Sequence, residues 1–215
     1  MLVIFDCDGV LVDTESIANT ELARLITAAG MPIDMPTSRT RFNGLSMTAV
    51  RERVLAEDCV DLGTEFATTW QANLPNIFAQ GVEPIAHVRE AIEALRAAGI
   101  PYCVASSGTI EKMHMTLGAS GLLPLLENVL FSTTMVKRGK PYPDLFEHAA
   151  SAMGHAARDC VVIEDSVPGV EAGRAAGMRV LAYCGDRLSN RAGMIAAGGE
   201  PFEDMRALPR LLGAG

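Results

Sequence analysis

Several things are scarce in this sequence, and each scarcity removes a class of protein. Basic residues are outnumbered, 18 Lys and Arg against 26 Asp and Glu, for a formal net charge of -8. A chain of that balance has no general attraction for nucleic acid or anionic lipid. No apolar run approaches the roughly 18 residues needed to span a bilayer, and MLVIF leads straight into FDCDG with no signal-peptide n-region or cleavage site. A cytoplasmic protein is expected. The five cysteines (Cys7, Cys59, Cys103, Cys160, Cys184) never form CxxC, which argues against a disulfide framework or a zinc knuckle and for reduced core thiols. The four histidines (His87, His114, His148, His155) show no paired ligand spacing, and the single tryptophan, Trp70, reads as helical core rather than a stacking platform. Internal repeats and low-complexity tracts are also lacking.

What is present is an alternation. Short apolar runs flanked by turn residues predict buried parallel strands at LVIFD (2–6), YCVASS (102–107), NVLFS (128–132), CVVIED (160–165) and MRVLAY (178–183). Between them VREAIEALRAAG (88–99), TIEKMHMTLGASG (109–121), PDLFEHAASAMG (143–154) and VPGVEAGRAAG (167–177) repeat apolar residues at helical spacing and close on glycine. Alternating strands and helices predict an α/β fold, a parallel sheet with helices on both faces. Residues 15–81 break the alternation with mostly helical patterns. They predict an inserted helical cap over the carboxyl end of the first strand, leaving 1–14 and 82–215 as the core.

The stretch FDCDG places two carboxylates, Asp6 and Asp8, on one side of an extended chain, roughly 7 Å apart. In open α/β sheets ligands bind at the carboxyl ends of strands. Three further segments end there in polar residues: Ser106, Ser107 and Gly108; Glu164, Asp165 and Ser166; and the RGKPYPD stretch with Lys140. Converging carboxylates require a cation, and all-oxygen ligation of this kind suits Mg2+. With Lys140 as a second positive group and Ser106 as a donor, the site suits phosphoryl transfer. Ser166 is expected to cap the following helix.

In order and spacing, FDCDGVLVDTE, VASSG, RGKPYPDLF and VIEDSVPGVEAGRAAGM resemble the four motifs of the haloacid dehalogenase superfamily, subfamily I, whose core is Rossmann-like. The resemblance implies a phosphatase in which Asp6 is the nucleophile that forms an aspartyl-phosphate and Asp8 is the general acid/base. Ser106 and Lys140 would hold the phosphoryl group, while Asp6, the main-chain carbonyl of Asp8, Glu164 and Asp165 would hold Mg2+. Dehalogenation on this fold has no need of Asp8 or of the Glu164/Asp165 pair, so their presence argues against it.

The cap segment TRFNGLSMTAV (40–50) resembles the loop that reaches the substrate in this subfamily, which makes Arg41, Asn43 and Gly44 substrate-binding candidates beside Ser107 and Gly108. In the β-phosphoglucomutase branch a Lys just before the Gly and an Arg three positions after it grip a second phosphate. Here those positions are Asn43 and Met47, which favours a phosphatase over a mutase. The DCDG start, the RF-x-G loop and the K-M-x-x-x-x-G helix are similar to bacterial sugar-phosphate phosphatases, 6-phosphogluconate phosphatases among them. The expected substrate is a small phosphorylated metabolite, a sugar or sugar-acid phosphate; the alternatives are a sugar phosphomutase and a phosphoglycolate phosphatase. The expected assembly is a monomer or homodimer, with neither nucleic acid nor membrane as partner.

Overall fold

The computed structural model describes residues 1–42 and 45–213, and they fall into two compact units, Met1–Asp13 with Glu83–Gly215, and Thr14–Val82. Strand β1 (Leu2–Phe5) is followed by four helices, α1 (Thr14–Ala28), α2 (Met35–Phe42), α3 (Met47–Asp58) and α4 (Phe66–Phe78). Strands and helices then alternate: α5 (Val88–Ala97), β2 (Tyr102–Ser106), α6 (Ile110–Ala119), α7 (Leu123–Leu126), β3 (Leu130–Ser132), α8 (Asp144–Ala152), β4 (Cys160–Glu164), α9 (Val167–Ala175), β5 (Arg179–Tyr183), α10 (Arg191–Ala196), β6 (Glu200–Phe202) and α11 (Leu208–Leu211).

The first unit is built on a six-stranded sheet of order β3-β2-β1-β4-β5-β6, with every pairing parallel. This is the α/β, Rossmann-like architecture expected. Strand β1 lies near the centre, paired with β2 on one side and β4 on the other. Both of its edges are therefore paired, and Leu2, Val3, Ile4 and Phe5 are all fully buried; each such side chain contributes about 1.5–3 kcal/mol of burial free energy. Helix α5 buries Val88, Ala91, Ile92 and Leu95, the one-face spacing of an amphipathic helix. At the end of α9, Gly177 adopts φ 74°, and the following Met178 N–H donates back to the Gly173 carbonyl at 3.0 Å, closing the helix before β5 begins.

The sheet has one strand more than the apolar runs predict. β6 is only Glu-Pro-Phe, with Phe202 alone buried, and its proline is tolerated because an edge strand needs a ladder on one side only. The cysteines also need one correction: Cys7, Cys103, Cys160 and Cys184 are buried free thiols, but Cys59 is exposed. It terminates α3 in a left-handed conformation with φ 58°, so it belongs to a helix end and not to a core.

The second unit, the inserted helical region, packs α1 against α2 and α4, and α3 against α4. Its interior is formed by Leu22, Ile26, Phe42, Val50, Val54 and Ile77, with Trp70 only 7% exposed among them. Buried Ser38 donates to Asn19 Oδ1 at 3.2 Å, tying α2 to α1. Ser46 caps α3 by accepting from the Ala49 N–H at 3.2 Å. Among the described residues no helix is long and apolar enough to cross a membrane.

Candidate active site

Because the sheet is parallel, the residues that follow β1, β2, β3 and β4 gather at one edge. The chain after β1 turns sharply there: the Leu11 N–H donates to the Cys7 carbonyl at 2.9 Å and the Gly9 N–H to the Val12 carbonyl at 2.8 Å. Gly9, at φ 82°, stands so close to Asp165 that a Cβ would collide with its carboxylate. Asp6 is buried and Asp8 is partly exposed.

Lys140, on the loop before α8, reaches into this edge. Its Nζ donates to Asp6 Oδ1 at 2.5 Å and to Glu164 Oε1 at 2.7 Å. Its side chain is 5% exposed, and the ammonium lies 4.9 Å from the Phe146 ring centroid. Glu164 is held on its other side as well, where Oε2 accepts from the Asp165 and Ser166 N–H groups at 2.9 Å and from Ser166 Oγ at 2.8 Å. Gly169 makes room for that carboxylate, because a Cβ there would clash with it. Ser166 also caps α9 by accepting from the Gly169 N–H at 3.1 Å, the helix-capping role expected of it.

Carboxylate oxygens of Asp6, Glu164 and Asp165 lie within 4.8 Å of one another. Burial, reinforced by the charges of Glu164 and Asp8 and opposed by Lys140, pushes Asp6 up to about 7. Burial, with Glu164 and Asp6 adding to it, holds Asp165 well above the usual carboxylate range. One ammonium therefore leaves the cluster short of positive charge, and a hard divalent cation with oxygen ligands is the group these donors fit.

At the end of β2, Ser106 is 1% exposed and its Oγ accepts from the Gly108 N–H at 3.0 Å. The Gly108 carbonyl in turn accepts from Ser132 Oγ, at the end of β3, at 2.7 Å. Ser107 is exposed in the same turn. Thr109 caps α6, accepting from the Lys112 N–H at 3.2 Å. From the next turn Lys112 Nζ donates to Asp8 Oδ2 at 2.8 Å. Burial works to lower the Lys112 pKa, but Asp8, Cys7 and Asp6 together outweigh it and the net shift is upward. Lys112 was not among the sequence candidates; its one signal was its place in the K-M-x-x-x-x-G helix.

The second unit holds the remaining candidates. Asn43 and Gly44 lie outside the described residues. Arg41 is engaged by its own unit, with Nη1 donating to Asp58 Oδ1 at 3.1 Å and Nη2 to Asp58 Oδ2 and, at 2.8 Å, to Glu57. Arg53 donates to Glu57 at 3.0 Å and to the Arg41 carbonyl at 3.1 Å. Among the described residues, Arg51 Nε is a buried side-chain nitrogen without a hydrogen-bond partner.

The α/β fold thus carries a candidate active site where strands end in carboxylates and a serine, with Lys140 reaching in from a loop. The sequence profile of the haloacid dehalogenase-like hydrolases matches residues 1–177, and the chain belongs to that family. It is 34% identical to the 6-phosphogluconate phosphatase of Escherichia coli (strain K12) over 185 residues, 86% of this chain and 82% of that one. Hexitol phosphatase A of the same organism is 29% identical over 181 residues, 83% of this chain and 81% of its own. Among solved structures, a haloacid dehalogenase family hydrolase from Deinococcus radiodurans R1, with bound phosphate and sodium, superposes with a TM-score of 0.89 at 28% identity, covering 100% of this chain and 96% of that chain.

Proposed function

We propose that this protein is a Mg2+-dependent phosphatase that hydrolyses a small sugar or sugar-acid phosphate through an aspartyl-phosphate on Asp6. The observation that carries this reading is the buried cluster in which Lys140 bridges Asp6 and Glu164 at 2.5 and 2.7 Å beside Asp165. Residues Asp6, Glu164 and Asp165, with the main-chain carbonyl of Asp8, are assigned as the metal's protein ligands. Bound there, Mg2+ offsets the negative charge that an approaching phosphate and Asp6 share.

The chain's own residues supply the rest. Asp6 attacks phosphorus, Lys140 and Ser106 hold phosphoryl oxygens, and Asp8 gives a proton to the departing oxygen and later takes one from water. Splitting one displacement in two in this way lowers the barrier of each step. Asn43 and Met47, where a mutase would use cations for a second phosphate, support water as the final acceptor. The named activities of the two E. coli relatives, both phosphatases, support the same direction. Ser107, Gly108, Arg41, Asn43 and Gly44 are assigned to substrate selection.

The test is a phosphate-release assay over sugar phosphates, sugar-acid phosphates, phosphoglycolate and nucleoside monophosphates, with glucose 1-phosphate followed for isomerisation. Release should require Mg2+, stop on chelation, and fall by about 10⁴-fold or more in Asp6→Asn. Turnover that survives chelation or that substitution would sink the reading, and isomerisation without net release would replace it with a mutase.

A further inference from the structure

The K-M pair of α6 has no part in the chemistry above. Met113 is buried in the core at 1% exposure, so the adjacent Lys112 is turned to a different side of the helix. Its backbone is fixed by the Thr109 cap, and its stem runs along Gly108, where a Cβ would meet Lys112 Cδ at 3.1 Å and Asp8 Oδ2 at 3.9 Å. A Cβ at Gly108 would press on the lysine stem, which would have to give by a few tenths of an ångström. At the end of that path Nζ donates to Asp8 Oδ2 at 2.8 Å, across 104 residues of sequence. Each acid of FDCDG thus has its own ammonium, Lys140 for Asp6 and Lys112 for Asp8.

We propose that Lys112 is a positioning residue for proton transfer, holding Asp8 Oδ2 so that Oδ1 stays turned toward the departing oxygen. The inference rests on the phosphatase reading. As an Asp6 oxygen bonds to phosphorus, the ester P–O bond breaks and its electron pair goes to the leaving oxygen, which takes the proton from Asp8 Oδ1. In the second half a water oxygen bonds to phosphorus, the Asp6–phosphorus bond breaks, and Asp8 takes the water's proton. The Lys112 hydrogen bond restrains rotation of the Asp8 carboxyl about its Cβ–Cγ bond; without it Asp8 spends more time in orientations from which no proton passes. Lys140 and Ser106 still hold the phosphate in that case, so the loss is confined to proton transfer.

That confinement gives the experiment. A sugar alkoxide needs a proton to leave, whereas p-nitrophenolate does not. The value of kcat/KM reports events through departure of the leaving group, so it isolates the first proton transfer from the second. Lys112→Met should lose about tenfold or more in kcat/KM on the best sugar phosphate and less than about threefold on p-nitrophenyl phosphate. Lys112→Arg should restore most of the loss, and Lys112→Gln should repeat the Met result in a side chain that keeps a polar end. Mg2+ affinity, measured by calorimetry, should not weaken in any of the three. Equal losses on the two substrates, or none on the sugar phosphate, would overturn the proposal. Wild-type protein that releases phosphate from neither substrate would instead overturn the phosphatase reading, and this inference with it.

Discussion

The two units of this protein arrange their charges in opposite ways. In the sheet unit the important pairs are buried or half-buried and distant in sequence: Lys140 with Asp6 is 134 residues apart and Lys112 with Asp8 is 104. In the helical unit Arg24 with Glu21, three apart, and Arg53 with Glu57, four apart, are short-range with an exposed arginine, while Arg41 with Asp58, seventeen apart, is as well buried as Lys112 with Asp8. A buried pair holds a geometry that no alternative partner can replace, and breaking one leaves an uncompensated charge out of water. An exposed pair exchanges with solvent and contributes little. The buried pairs around Lys140 are therefore intolerant of change, and exposed pairs such as Arg53 with Glu57 are free to vary. The proposed function assigns the chemistry to the sheet unit and selection among substrates to the helical unit.

The largest effect is expected at Lys140. Lys140→Met keeps most of the stem that packs on Phe146 but leaves Asp6 and Glu164 buried with no ammonium between them. We expect kcat/KM for phosphate release to fall by about 10³-fold and the metal-free protein to lose about 3–5 kcal/mol of stability, read by denaturant unfolding. Part of that stability should return with Mg2+. A variant as stable as wild type without metal would mean that the cluster is solvated, and the contrast between the units would fail.

A middle-sized effect follows from Asp6. Its folded-state pKa is about 7 against an ordinary value of 3.8, so between those pH values the folded, metal-free chain binds more protons than the unfolded one. The sign follows directly: this contribution is present at low pH and is lost as pH rises toward 7. Asparagine has no such proton. In metal-free protein the melting temperature of Asp6→Asn relative to wild type should rise between pH 4.5 and 7.5, and saturating Mg2+ should erase most of that rise by favouring the ionised Asp6. A difference that stays flat with pH would show that burial does not set the protonation of Asp6.

How much of this was legible in the sequence follows the same division. Asp6, Asp8, Ser106, Glu164 and Asp165 stand at or beside strand ends, and apolar strands with polar termini are conspicuous in sequence, so the rule that sites form at the carboxyl edge was enough to collect them; Lys140, on the loop between β3 and α8, was legible from the RGKPYPD stretch instead. Lys112 was not legible, because a lysine in the first turn of a helix has the same local signature whether it meets solvent or a carboxylate from another strand. Strand β6 escaped because three residues with a proline carry no periodicity. Arg41 was read as a substrate ligand from its loop; its partners Glu57 and Asp58 lie at the far end of another helix, where spacing along the chain gives no hint of the meeting.

The smallest effect is expected in the helical unit, and it is the sharpest check on the contrast. Arg53 and Glu57 are both about half exposed, at 43% and 49%, and lie four residues apart on α3. The arginine precedes the glutamate, the less favourable order relative to the helix dipole. Arg53 also donates to the Arg41 carbonyl at 3.1 Å, so its removal costs a second contact, but the carbonyl faces solvent that can replace the donor. Arg53→Ala should shift the melting temperature by less than about 2 °C, and raising the salt from about 0.05 to 0.5 M should shrink even that. Turnover of p-nitrophenyl phosphate should stay within about twofold of wild type, since nothing in the proton or phosphoryl transfer touches this residue. A loss of about 5 °C or more, insensitive to salt, would place a buried electrostatic network in the helical unit too. Tolerance of charge changes would then no longer distinguish it from the sheet unit, and the assignment of substrate selection to it would lose its physical basis.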